Sequence, residues 1–225
     1  VPVVVADGGD QPGGVGGGGD LGGLLHGPAH RLLDPERLAG LGGGHADLAV
    51  QHVGRTDRHH LDVGVGTGWF LDHCRWPVES PEITLLDLNE NSLSAASDRI
   101  RRFAPATVEA NVLGPVDLGD ARFDSIGANF LFHCLPGGLE WKAATVVSSL
   151  RPYLSSGGVL FGSTILGRGV THNLLGRRLM RIYNRKGIFS NVEDDQRGLE
   201  QGLASKLTDV EVEVVGAVAL FAARA

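Results

Sequence analysis

Leu61-Asp62-Val63-Gly64-Val65-Gly66-Thr67-Gly68 is the stretch that decides the fold of this chain. An apolar run ends in an acid, and glycines follow at every second position. Glycine accepts left-handed backbone and lets main chain approach another molecule closely. Nineteen residues beyond Gly68 a second apolar run, Ile83-Thr84-Leu85-Leu86, ends in Asp87. A strand, a glycine turn and a second strand closing on an acid point to a nucleoside cofactor held at the carboxyl edge of a parallel sheet.

The spacing decides which cofactor. A dinucleotide loop reads G-x-G-x-x-G, with its third glycine opening a helix toward a pyrophosphate. Counted from Gly64, that third glycine falls on Trp69. The order here is instead D-x-G-x-G-x-G. It resembles motif I of the class I S-adenosylmethionine-dependent methyltransferases, whose cofactor carries an ammonium, a carboxylate and a sulfonium. The resemblance implies that Gly64, Gly66 and Gly68 let the backbone approach the cofactor and that Asp62 faces its ammonium. It implies that Asp87 accepts both ribose hydroxyls, since an ionised carboxylate offers two acceptor oxygens and no donor.

Later segments continue the resemblance. Thr107-Val108-Glu109-Ala110-Asn111-Val112 reads as a third strand with Asn111 near its end. Many family members carry an acid there that bonds the adenine amino group, and the amide oxygen of Asn111 can accept the same bond. Phe123 to Asn129 reads as the fourth strand, with Asn129 at the cofactor edge. A helix is expected over Ala143 to Leu154, and a strand over Val159 to Thr164. Val210 to Val215 and Ala217 to Ala222, broken by Gly216, resemble the antiparallel hairpin that closes the family's sheet. The expected fold is α/β and doubly wound, with a mostly parallel seven-stranded sheet and an antiparallel C-terminal hairpin strand.

Two regions lie where an acceptor would bind. One is the loop after strand four, Asn129 to Gly138. The other is an insertion, 167–191, expected to form a lid. Within it Leu175, Leu179, Ile182 and Tyr183 are spaced for one helical face. Asn191-Val192-Glu193-Asp194 reads as an N-cap with acids in the first turn of a following helix. Arg168, Arg177, Arg178, Arg181, Arg185 and Lys186 occupy a window without an acid. A solvated helix face is the favoured reading, with an acidic substrate or a membrane surface as the alternative. His133 is the candidate catalytic base, needed only if the acceptor must lose a proton. His133 and Tyr183 are the candidate substrate contacts, with His172 a weaker one.

Composition narrows the partners. The 225 residues carry a net charge of -6, which argues against a general nucleic-acid binder. No apolar run is long enough to span a membrane. Two cysteines, Cys74 and Cys134, form no disulfide framework, so a reduced cytoplasmic protein is expected. Zinc-ligand spacing is missing, so no metal is expected. Asn129-Phe130-Leu131-Phe132 lacks both prolines of the N-P-P-Y/F run that resembles it in methyltransferases acting on planar amines. A small organic acceptor, such as a secondary metabolite, is left by elimination. A cofactor-poor pseudoenzyme or partner subunit is the alternative, ahead of an NAD-dependent oxidoreductase.

Residues 1–52 do not fit this pattern. Fifteen of the 34 glycines lie in residues 1–44, and no helical or strand period survives there. Such a stretch is expected to stay disordered. Either it is a natural tail or it is mistranslation from a shifted frame or wrongly placed start. The methyltransferase domain is expected over 53–225.

Overall fold

The computed structural model describes residues 58–74 and 76–225. The expectations for residues 1–52, and the domain boundary at residue 53, lie outside the described residues. Among those described, seven strands form one sheet: β1 (His59–Val63), β2 (Glu82–Asp87), β3 (Ala106–Glu109), β4 (Phe123–Asn129), β5 (Leu154–Ile165), β6 (Thr208–Val215) and β7 (Val218–Arg224). Their spatial order is β3-β2-β1-β4-β5-β7-β6. Pairings from β3 through β5 are parallel, and β7 runs antiparallel to both β5 and β6. The doubly wound, mostly parallel sheet with its antiparallel hairpin is therefore as expected. Strand order reverses between β1 and β4, and such a switch point opens a crevice at the carboxyl edge.

Among the described residues, five helices connect the strands: α1 (Trp69–His73), α2 (Glu90–Arg99), α3 (Leu139–Leu150), α4 (Leu174–Arg185) and α5 (Gln196–Ala204). Alternation along the strands assigns each side chain to a face. Leu61 and Val63 pack with Ile126 against Leu139, Val146 and Leu150 of α3 and Leu199 and Leu203 of α5. Ile83 and Leu85 point the other way, onto Leu71 of α1 and Leu93 and Ala96 of α2. Both faces are thus covered, which parallel strands require because each face carries apolar side chains.

Several boundaries differ from the sequence reading. β3 ends at Glu109, so Asn111 sits in the following loop rather than on the strand. α3 begins at Leu139, after the Gly137-Gly138 turn, and ends at Leu150, because Pro152 lies in a short 3-10 turn over Arg151–Tyr153. In α4 the packed residues are Leu179, Met180 and Tyr183, which join Cys134 and Phe189. Leu175 and Ile182 face outward with Leu174, so of the expected face Leu175, Leu179, Ile182 and Tyr183, Leu179 and Tyr183 pack and the other two do not. The cap of α5 is Asp195, whose side chain accepts the Gly198 N–H, rather than Asn191.

Asn191 and Asp194 are buried instead. Asn191 donates to the Ile165 carbonyl at 2.8 Å and accepts from the Asn184 amide at 2.9 Å. Asp194 pairs with Lys142 at 2.7 Å. Lys142 lies on the buried stripe of α3, and its ammonium also donates to the carbonyls of Leu135 and Ser190. Burial pulls Lys142 downward, opposed by Asp194, and pushes Asp194 up to about 6. The network ties the C-terminal end of the insertion to α3 through Lys142 and to the end of β5 through Asn191. Lys142→Met strands the Asp194 carboxylate, and urea unfolding should show a loss of about 3–5 kcal/mol. Lys142→Met with Asp194→Leu should recover most of it, since apolar replacement of both partners removes the buried charge.

Candidate functional site

β1 carries its chain straight into the glycine loop. Gly64, Gly66 and Gly68 all adopt positive φ, at 71°, 53° and 70°. At Gly66 a Cβ would meet nothing within 4 Å, so this turn of backbone is open to a ligand. At Gly68 a Cβ would come within 3.0 Å of Ala96 Cα, so the last glycine seats the start of α1 against α2.

Parallel register brings the sequence-predicted polar residues to one edge. Asp62 pairs with Leu85 of β2 and with Gly127 of β4, so the ends of the three strands lie together. Asp87 closes β2 and Asn129 closes β4. All three side chains are buried. Asp62 Oδ1, Asp87 Oδ2 and both amide atoms of Asn129 have no hydrogen-bond partner among the described residues. Buried polar atoms without partners cost free energy, so a set of them gathered at one edge suits a polar ligand. Burial raises the Asp62 carboxyl above its usual range, with His60 opposing. Burial raises Asp87 as well, opposed by the backbone N–H groups of Asn89 and Gly66. Asp87 Oδ1 accepts the Asn89 N–H at 2.9 Å, which fixes the carboxylate at the strand end.

Beside Asp87 lies a small cleft walled by Val63, Gly64, Leu88, Asn111, Val112 and Leu131 among others. Its walls are mostly apolar, with the Asp87 carboxylate at one end. Asn111 reaches this cleft from its loop. Its side-chain oxygen already accepts the Leu113 N–H at 3.0 Å, so one acceptor lone pair remains for a ligand.

The loop after β4 turns sharply at Phe130, a non-glycine residue with φ 53°. Its N–H is held by the Ser163 carbonyl at 2.8 Å. This conformation costs on the order of 1–3 kcal/mol and is paid where surrounding contacts over-determine it. It aims the chain into a short turn, Phe132–Cys134, beneath the insertion. His133 is 2 % exposed, with Phe189 against its ring edge at 4.6 Å. Tyr183 packs on Phe189 at 4.9 Å. His133 Nδ1 lies 3.5 Å from both Thr164 Oγ1 and the Ile165 N–H. The Tyr183 hydroxyl has no hydrogen-bond partner among the described residues. His133 and Tyr183 therefore share one aromatic wall, joined by Phe189, whose part the sequence did not reveal.

Burial, assisted by Lys142, lowers His133 to about 3. A base that weak draws a proton from a hydroxyl poorly, so its surroundings argue against the catalytic-base expectation for His133. His172 is half-buried, beside the start of α4. Arg177, Arg178, Arg181, Arg185 and Lys186 are all exposed, in keeping with a solvated helix face.

Comparison with known proteins identifies the class. A sequence profile described as "Methyltransferase domain" matches residues 61–160. The chain is 43% identical to the protein YbcY of Escherichia coli (strain K12) over 176 residues, 77% of this chain and 87% of that protein. It is 39% identical to demethylluteothin O-methyltransferase of Streptomyces thioluteus, over 73% of this chain and 71% of that enzyme. It is 40% identical to methyltransferase aurB of Calcarisporium arbuscula, over 73% and 76%. Among solved structures, the N-methyltransferase NodS from Bradyrhizobium japonicum WM9, in complex with S-adenosyl-L-homocysteine, shares the fold with a TM-score of 0.56. That likeness covers 86% of this chain and 90% of that one at 18% identity. The chain belongs to the class I S-adenosylmethionine-dependent methyltransferases.

The buried histidine makes stability depend on pH. Its folded pKa of about 3 lies below the ordinary 6.5, so the unfolded chain binds the proton more readily. Stability from this group is complete above about pH 6.5 and is lost as pH falls toward 3. Asp194, raised to about 6, works in the opposite direction. The His133 contribution is therefore read as a difference. Between about pH 6 and 4, wild type should lose up to about 1.4 kcal/mol per pH unit that His133→Asn does not lose, in urea titrations at each pH.

Proposed function

We propose that this enzyme moves the methyl group of S-adenosylmethionine to a small organic acceptor of secondary metabolism, with oxygen as the atom methylated. The observation that carries the reading is the edge where Asp62, Asp87 and Asn129 hold unpartnered buried polar atoms behind an open glycine turn. Relatives named for demethylluteothin O-methylation and for an O-methyltransferase of physcion biosynthesis support the acceptor class and atom. Cytoplasmic placement belongs to the same reading and is supported by two free, buried cysteines.

In this reading each residue has a task. Asp62 faces the cofactor ammonium, and Asp87 takes both ribose hydroxyls. Gly64, Gly66 and Gly68 let main chain lie along the ligand. Asn111 borders the adenine and Asn129 the methyl-bearing end. The cofactor supplies an electrophilic methyl on a sulfonium and departs as a neutral thioether. What remains for the protein is alignment of the acceptor oxygen with that methyl in a site closed to water. Phe189 and His133 form an apolar wall, and the Tyr183 hydroxyl can donate a hydrogen bond to the acceptor oxygen. A phenol, acidic enough to shed its proton to solvent, needs no enzymatic base.

Calorimetric titration with S-adenosylmethionine and S-adenosylhomocysteine, with NAD as a control, tests the cofactor. Both sulfur ligands should bind and NAD should not. Asp87→Ala removes two charge-assisted hydrogen bonds and should weaken both by roughly 100-fold or more. Binding of NAD, or unchanged affinity in Asp87→Ala, overturns the reading. Methylation of small phenols, followed by mass spectrometry, tests the acceptor class, and transfer to small amines alone would correct the atom.

A further inference from the structure

Behind the cofactor edge, β1 and β4 are built around a second buried polar pair. His60 and Asp62 are two residues apart on β1, so their side chains share a sheet face. His60 is 0% exposed, and its Nε2 lies 3.8 Å from Asp62 Oδ1. Neither atom has a hydrogen-bond partner among the described residues. On the neighbouring strand, His60 pairs with Ser125 and Asp62 pairs with Gly127. Ser125 Oγ meets His60 Nδ1 at 2.9 Å. Gly127 leaves the passage between the two β1 side chains clear: a Cβ there would lie 2.8 Å from Asp62 Oδ1 and 3.3 Å from His60 Nε2. Phe161 stacks on the imidazole at 5.9 Å, and Trp76 closes its edge at 5.5 Å.

The chemistry of the pair follows from its neighbours. A neutral imidazole carries its proton on one nitrogen and accepts at the other. A carboxylate opposite Nε2 favours the proton on Nε2, which leaves Nδ1 to accept the Ser125 hydroxyl. Ser125 thus orients the ring through one nitrogen while the other faces the acid. His60 also opposes the upward push of burial on Asp62. A methyl or isobutyl group in its place would leave that carboxylate facing apolar walls.

We infer that His60, oriented by Ser125, is a positioning residue that holds the Asp62 carboxyl turned toward the ammonium of the cofactor. The inference rests on the cofactor reading above and adds a residue to it. Affinity for the amino-acid end of the ligand then depends on His60, and affinity for the nucleoside end does not.

Two ligands separate these ends. S-adenosylhomocysteine carries the amino and carboxylate groups, whereas 5′-methylthioadenosine has the same nucleoside thioether without them. His60→Leu should weaken S-adenosylhomocysteine by roughly tenfold, the loss of the one polar group facing Asp62 at 3.8 Å, and leave methylthioadenosine unchanged. His60→Gln, whose amide can still donate, should restore most of that loss. Ser125→Ala, a small change in a buried strand, should weaken S-adenosylhomocysteine a few-fold with methylthioadenosine again unchanged, and it stands in if His60→Leu does not fold. Asp87→Ala should weaken both ligands. Equal loss of both ligands in His60→Leu and Ser125→Ala, or loss of neither, overturns the inference while leaving the cofactor reading intact. Wild-type protein that binds neither ligand overturns the cofactor reading and the inference with it.

Discussion

Parallel pairing of β1 with β2 on one side and β4 on the other is the constraint on which the site depends. The register Asp62↔Leu85 and Asp62↔Gly127 places the ends of three strands side by side. A slip of one residue would turn each side chain to the other face. Leu61 and Val63 would then leave the α3 side of the core, and Asp62 would enter it. The cost of burying that carboxylate among leucines holds the register. The apolar core and the polar edge are thus two results of one alternation.

The insertion between β5 and β6 is held by different physics. α4 is cationic along its exposed side and packs only through Leu179, Met180 and Tyr183. Its C-terminal end is anchored by polar groups taken out of water: Lys142 with Asp194, and Asn191 with Asn184 and Ile165. A buried ion pair adds little net stability over an apolar substitute, but it fixes geometry once formed. Here it sets the loop after β4, through the Leu135 carbonyl, against the chain that carries Phe189. The aromatic cluster of His133, Phe189 and Tyr183 is therefore positioned by a pair lying beneath it.

His133 shows how far burial changes a residue's chemistry. In sequence it is the histidine that follows strand four, and a solvent-facing imidazole there would titrate near neutrality. In the fold it is enclosed by Phe189 and lies near the Lys142 charge, so it stays neutral.

The sequence by itself determined the parts whose signals are local. Alternating glycines after an acid, an apolar run ending in Asp87 and the broken pair of β-rich tail segments specify backbone conformations and strand ends within a few residues. The class of fold, its antiparallel hairpin and the strand ends at Asp87 and Asn129 were legible for that reason. Tertiary structure alone decided what depends on residues far apart. His60 and Ser125 are 65 positions apart, and Lys142 and Asp194 more than fifty, so no spacing marks either pair. Asn111 left its strand because β3 stops pairing with β2 at Glu109. On α4, Leu179 and Tyr183 pack as their spacing implies, while Met180 replaces Leu175 and Ile182 because it meets a buried cluster that no helical period reveals. Local patterns record which backbone a segment adopts; which polar groups lose water together is settled only when strands and helices meet.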